Sequence, residues 1–176
     1  MTSSTITLVP LGKHQRETFI RDLQAAFSVA VIEESGKQKG EIIPREEVAQ
    51  SLDQPGAEAF QLTPDRKAAG GAVVTADRAA GRCSLDLLYL RQSCHNRGLA
   101  AWQAIEAPYP EAAVWETVTP YFEKRKIRFY VNKCGFKIVG FFHSHHRDPS
   151  VSETDGIGKG NYFRFEKQLP RRQFPE

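Results

Sequence analysis

The sequence is short of sulfur and of one-sided charge. Its 176 residues include three cysteines, one methionine and two tryptophans, and the formal net charge is only +3. Cys83, Cys94 and Cys134 are odd in number and show no Cys-x-x-Cys spacing. That excludes a disulfide scaffold and suits free thiols in a reducing cytoplasm. The small net charge gives no footing for a nucleic-acid-binding protein on charge alone. No stretch approaches the roughly 18–20 apolar residues of a membrane span. The opening Met-Thr-Ser-Ser-Thr-Ile-Thr has no basic region followed by an apolar run, so no signal peptide is expected. What the chain does have is core material. Hydrophobic residues make up 40% and eleven are Phe, which argues for one packed domain spanning residues 1–176 rather than disorder.

Periodicity and breakers give the layout. Thr5–Leu11 is short and β-branched, and Pro10 and Gly12 end it. From His14 to Glu34, Phe19, Leu23, Phe27 and Val31 recur at fourfold spacing, which predicts a long helix. Pro44 suits the first turn of a second helix, with Val48 and Leu52 inward and Pro55-Gly56 as its stop. Strands are expected at Ala59–Leu62, Ala68–Thr75 and Cys83–Leu90, with Gly70-Gly71 marking a bulge or close packing. A helix follows to Ala107, with Leu99, Trp102 and Ile105 on one side, then a strand at Ala113–Thr119. Pro120 is read as opening a helix in which Ile127, Val131 and Cys134 face inward with Tyr130 beside them, and Gly135 as its left-handed stop. Strands at Phe136–Ser144 and Tyr162–Leu169 flank a polar loop, Asp148–Gly160. The order βααβββαβαββ predicts an α/β (α+β) fold, a mixed sheet of about seven strands flanked by about four helices.

Two segments stand out. Leu88-Tyr-Leu-Arg-Gln-Ser-Cys-His-Asn-Arg-Gly-Leu-Ala100 reads as a strand running into a tight turn that opens a helix at Arg97-Gly98-Leu99-Ala100. Such a turn aims free N–H groups and the positive end of the helix dipole at one spot, which suits a phosphate. Phe129-Tyr-Val-Asn-Lys-Cys-Gly-Phe136 places a phenol on a helix just before its stop. A phosphate cradle and a positioned phenol suggest a nucleotide-containing cofactor and a proton to deliver. Arg91, Arg97, Lys124, Arg125, Lys126, Arg128, Lys133 and Lys137 fall in or between the two segments. They read either as a solvated helix face or as a collar for a polyanion.

These segments resemble the signatures of the GNAT family of acetyl-CoA-dependent acetyltransferases. His95-Asn96-Arg97-Gly98-Leu99-Ala100 is similar to the family's Gln/Arg-x-x-Gly-x-Gly/Ala, with His at the first position. Tyr130 to Gly135-Phe136 is similar to Tyr-x-x-x-Gly-Phe, with one more residue between Tyr and Gly. The resemblance implies a sheet whose central strands splay to admit the pantetheine arm, with acetyl-CoA as cosubstrate and an amine as acceptor. It implies that residues His95 to Ala100 hold the phosphates, that a backbone N–H near Leu88 polarises the thioester carbonyl, that Leu90 pairs with pantetheine, and that Tyr130 protonates the departing thiolate.

Deprotonating the amine needs a carboxylate. Glu116 and Asp86 are the candidates, Asp86 because an aspartate among four leucines in a strand wants a reason, and a raised pKa would be one. Each can equally be a paired or solvent-facing carboxylate. His143, His145 and His146 lack companion ligands at useful spacing, so no metal is expected. Cys94, beside the turn, has no step in direct transfer that requires it. Two other classes of function compete: a catalytically silent CoA-binding sensor of the same fold, and a nucleic-acid module resting on the aromatic–basic interleaving of Arg125–Tyr130 and Tyr162–Phe165, segments that also fit an ordinary helix and strand. Selectivity for the acceptor is expected from the first two helices, Gly36–Gly40 and the Ser144–Gly160 loop, where Asp148, Glu153 and Asp155 could welcome a cation. Edge strands near the C-terminal side offer a route to a homodimer.

Overall fold

A computed structural model describes residues 5–36, 43–149 and 161–170. The elements are β1 Ile6–Pro10, α1 Arg16–Ser35, α2 Arg45–Asp53, β2 Ala57–Pro64, β3 Gly70–Asp77, β4 Arg82–Leu90, α3 Gly98–Glu106, β5 Val114–Pro120, α4 Lys124–Arg128, β6 Lys137–Phe142 and β7 Tyr162–Gln168. Their order is the expected one. They build one seven-stranded sheet in the order β1-β2-β3-β4-β5-β7-β6. Every neighbouring pair is antiparallel except β4 and β5.

Each face of the sheet has its own core. On one, Trp102 and Ile105 of α3 pack over Trp115 of β5 and Leu85 of β4, and Tyr130, Phe136 and Phe165 complete the cluster. Trp102 meets Trp115 and Phe136 edge-on, both at 5.1 Å between ring centroids. On the other face, Phe19, Ile20 and Leu23 of α1 and Val48 of α2 cover Val73, Leu87 and Tyr89. Burying one such side chain is worth about 1.5–3 kcal/mol, so the fourfold repeat in α1 is the force that docks it.

The Gly70-Gly71 pair is explained by close packing. A Cβ on Gly71 would stand 2.3 Å from Phe19 Cε2 and 2.7 Å from Tyr89 Cε1. The bulge lies further along. Val73 pairs with Leu87 and Val74 with Leu85, so Asp86 is the extra residue. Before it, Cys83 and Leu85 point to the α3 side, whereas after it Leu88 does. Leu87 and Tyr89 serve the α1 side.

The central strands part. The parallel register of β4 and β5 covers Arg82–Leu85 opposite Val114–Thr117 and stops. At the parting point Thr117 Oγ1 donates to the Leu85 carbonyl at 2.9 Å. From Asp86 on, β4 stays paired to β3 alone, while β5 continues along β7 to Pro120 opposite Tyr162. The splay implied by the family resemblance is therefore present.

Two expectations are corrected around α4. Pro120 closes β5 instead of opening a helix, and the helix begins only at Lys124. It then widens into one π turn, Phe129–Lys133, in which the Cys134 N–H donates to the Phe129 carbonyl at 3.1 Å. That turn absorbs the extra residue between Tyr130 and Gly135. It points Tyr130 and Cys134 inward and leaves Val131 at the surface, 36% exposed, against the inward position its spacing suggested. Gly135, at φ +84°, ends the helix as expected. No helix among the described residues is long and apolar enough to cross a membrane.

Candidate functional site

Where β4 and β5 separate, a cleft of about 190 Å³ opens. Phe27 and Ala30 of α1 form one wall, Leu88 to Leu90 of β4 another, and Glu123, Lys126, Phe129 and Tyr130 a third, with Gly98 at one end. Both sequence signatures meet in it.

Tyr130 is buried and packs against Phe129, Phe136 and Phe165. Burial, reinforced by the charge of Glu123, pushes its phenol well above the usual tyrosine range, and the Thr117 hydroxyl is its hydrogen-bond partner. Since the Thr117 proton goes to Leu85, the Tyr130 hydroxyl donates. The group is therefore a neutral O–H held at the cleft wall.

The cofactor-type turn is a 3₁₀ stretch, Gln92–Arg97, leading into α3 at Gly98. Among the described residues no side chain caps the N-terminus of α3, the kind of helix end that suits an anion. Asn96 is exposed, Arg97 and Ala100 are half-buried and Leu99 faces solvent. The side chain of His95 lies outside the described residues. Arg97 Nη1 stands 3.6 Å from Asp65 Oδ2. Gly98 has a physical reason beyond the turn: a Cβ there would lie 2.9 Å from Phe129 Cε2. The glycine of the first signature is thus the seat for the aromatic ring next to Tyr130 in the second.

The two carboxylates singled out in the sequence share the sheet face turned away from α3, and neither lines the cleft. Asp86 sits on the bulge, where Thr75 Oγ1 donates to its Oδ2 and Ser84 Oγ to its Oδ1 at 2.8 Å. Burial raises its carboxyl above the ordinary aspartate range, the two hydroxyls opposing in part. Glu116 differs. Burial would raise it, but hydrogen bonds from Arg164 at 2.7 Å and Arg82 at 3.0 Å outweigh that and hold it below the usual range. Arg82 also reaches Glu166 at 3.2 Å. Glu116 is the centre of a paired network.

Sequence reasoning missed Glu123. It precedes α4, is buried to 4% exposure and lines the cleft beside Tyr130. The signal was faint: it is the single acid in the cationic run Glu123-Lys124-Arg125-Lys126, which reads as a solvated face. The cationic collar is itself engaged. Arg125 Nη1 is 3.0 Å from Glu33 Oε2, and Lys126 Nζ is 3.2 Å from Glu123 Oε2.

β6 ends at Phe142, and His143 and His146 exchange backbone hydrogen bonds of 2.9 and 3.0 Å across a tight turn. Among the described residues, no group of three or more His, Cys, Asp or Glu side chains is placed to hold a metal ion. Burial pushes the Cys83 thiol up to about 11 and the Cys134 thiol up to about 12, while Cys94 is half-buried at the turn. Asp148 is buried, with Arg164 Nη1 3.7 Å from its Oδ1. Glu153, Asp155 and most of Gly36–Gly40 lie outside the described residues.

No protein-family model matches the sequence. Over 163 residues, 88% of each chain, it is 44% identical to the protein of Bacillus subtilis (strain 168) that carries the name "Uncharacterized protein YrkN". Among solved structures it superposes on an acetyltransferase of Thermus thermophilus with a TM-score of 0.64 at 19% identity, covering 96% of this chain and 100% of that one. It superposes on the PaiA N-acetyltransferase of Thermoplasma acidophilum, in complex with coenzyme A, with a TM-score of 0.61 at 17% identity, covering 94% and 99%. At such identities the likeness is one of fold, and the fold is the GNAT fold.

Proposed function

Since this chain belongs to one family with Bacillus subtilis YrkN and carries the GNAT fold, we propose that it is an N-acetyltransferase that passes the acetyl group of acetyl-CoA directly to a primary amine. The observation that carries the reading is the parting of β4 from β5 after Leu85 and Thr117, with a buried, protonated tyrosine on the wall of the opening.

The residues suit each task of the reaction. The uncapped N–H groups of Gly98, Leu99 and Ala100 suit the pyrophosphate, with His95, Asn96 and Arg97 around them. The β4 edge beyond Leu85 has no partner from β5, so its polar groups suit the pantetheine arm through Leu90 and the thioester carbonyl through Leu88. Amine attack forms the C–N bond and breaks the C–S bond. The electron pair leaves on sulfur, and the Tyr130 O–H is the group to donate to it. Since a free thiol has a pKa near 8.5 and burial raises this phenol above the ordinary value of about 10, the donation is best read as a hydrogen bond that stabilises the departing thiolate. Neither Asp86 nor Glu116 lines the cleft, so the amine's proton would reach either one only through water, and the environment of Asp86 suits that role better. A carboxylate with a raised pKa accepts a proton more readily than one clamped by two guanidinium groups.

Calorimetric titration with acetyl-CoA, desulfo-CoA and adenosine, run beside an assay of CoA release over an amine panel, tests the reading. Micromolar acetyl-CoA binding with amine-dependent release is expected. Binding with no release on any amine would favour a silent CoA sensor, and no binding would remove the proposal.

A further inference from the structure

Among the described residues, Glu123 is the buried carboxylate that lines the cleft. If it served as a helix cap, it would accept a hydrogen bond from an N–H in the first turn of α4, and no such bond is made. Its Oε2 is buried and accepts no hydrogen bond of good geometry among the described residues. What faces it is Lys126 Nζ, 3.2 Å away, and the same ammonium stands 3.7 Å from the centroid of the Phe27 ring. A primary ammonium thus already sits between a carboxylate and an aromatic face, the pair of contacts that binds such cations best when water is excluded. Both contacts line the cleft that holds Tyr130.

We propose that Glu123 and the ring of Phe27 form the binding site for the acceptor's ammonium group, and that Lys126 fills it as an internal stand-in until an amine displaces it. The inference rests on the acetyltransferase reading for what happens next, but not for the site itself. Lys126 carries its ammonium on a long stem of rotatable bonds in the middle of the short helix α4, so the ammonium can swing while the helix backbone stays in place. The neighbouring walls, Ala30, Leu88 and Phe129, are apolar and suit the carbon body of a primary alkylamine. A bound acceptor would then stand beside Tyr130.

The test uses the full chain with desulfo-CoA, and 1-hexylamine as ligand against uncharged 1-hexanol. Affinities are read by calorimetry in wild type, Glu123→Gln, Lys126→Met and Phe27→Leu, each checked for folding by its melting transition. Glu123→Gln should weaken hexylamine by about tenfold or more and Phe27→Leu about threefold. Lys126→Met should tighten it about threefold or more, and hexanol should respond to none of them. Opposite signs for Glu123 and Lys126 are what a merely structural ion pair would not produce. The inference is overturned if wild type does not bind hexylamine, if Glu123→Gln leaves its affinity unchanged, if both variants move it the same way, or if Glu123→Gln weakens acetyl-CoA instead. Should Glu123→Gln fail to fold, Lys126→Met and Phe27→Leu decide on the same criteria. Wild-type acetyl-CoA binding is measured in parallel. Its absence alongside Glu123-dependent hexylamine binding removes the acetyltransferase reading and leaves the ammonium site standing.

Discussion

Replacing Tyr130 by Phe removes one oxygen from a buried ring and separates catalysis from stability. The folded protein loses the bond from the Tyr130 hydroxyl to Thr117, yet no donor is orphaned, because the Thr117 proton still goes to the Leu85 carbonyl at 2.9 Å. The cost should therefore be that of an ordinary hydrogen bond, about 0.5–1.5 kcal/mol, a fall in Tm of about 1–6 °C for a chain of this length. The ring's contacts with Phe129, Phe136 and Phe165 persist. Catalysis should suffer far more. Losing a positioned general acid costs about 10²–10⁴ in kcat, or about 2.7–5.5 kcal/mol of barrier. Acetyl-CoA affinity, read by calorimetry, should stay within about threefold. Since burial raises the phenol well above its usual range, Tyr130 stays protonated through neutral pH, and wild-type kcat should show no loss from its ionisation below about pH 10. A kcat lowered less than about fivefold, with CoA release followed under saturating acetyl-CoA, would refute the assignment. A loss that appears wholly in acetyl-CoA affinity would do the same, and would make Tyr130 a wall of the binding site only.

Three further outcomes follow from the packing and the titrating groups. Gly98→Ala drives a Cβ to within 2.9 Å of the Phe129 ring and should cost about 1–3 kcal/mol in thermal melts, with Phe129→Leu added to the same chain recovering part of it. Asp86 has a folded pKa above its unfolded one, so its contribution to stability is greatest in acid and is lost as pH rises through the folded value. Asp86→Asn should therefore melt at or above wild type at pH 7, and the advantage should vanish toward pH 4; a constant difference across that range would contradict the raised carboxyl. At pH 8 a disulfide-exchange reagent should titrate one thiol in the native protein, Cys94, and three after denaturation, because burial keeps Cys83 and Cys134 protonated.

The element order was legible because each element carries a pattern that water enforces: the fourfold repeat of Phe19, Leu23, Phe27 and Val31, the alternation in β7, the glycine stop at Gly135. What stayed hidden had no local cause. Pro120 is as good at closing a strand as at opening a helix, and only its partner Tyr162 on β7 decides. The π turn left one trace, the extra residue before Gly135, and no periodicity shows which side chain it turns outward, so Val131 was misplaced. Asp86 announced itself as a charge among leucines. Glu116 looked equivalent until Arg82 and Arg164, 34 and 48 residues away, closed on it. Glu123 was masked by three cations that follow it directly.

The extra residue in β4 behaves like a dislocation in a crystal. Upstream of Asp86 the strand has one dry side and one wet side, Cys83 and Leu85 against Arg82 and Ser84; downstream both sides are dry. Odd-numbered residues serve the α3 core before the defect and the α1 core after it. Smoothing the defect while keeping residue 86 in the ladder would therefore turn the rest of the strand inside out, sending Leu87 and Tyr89 to the α3 side and Leu88 to the α1 side, whereas deleting residue 86 would leave all three where they are. Tolerance to substitution along β4 should change parity at that point, so the defect can be located from a mutational scan alone.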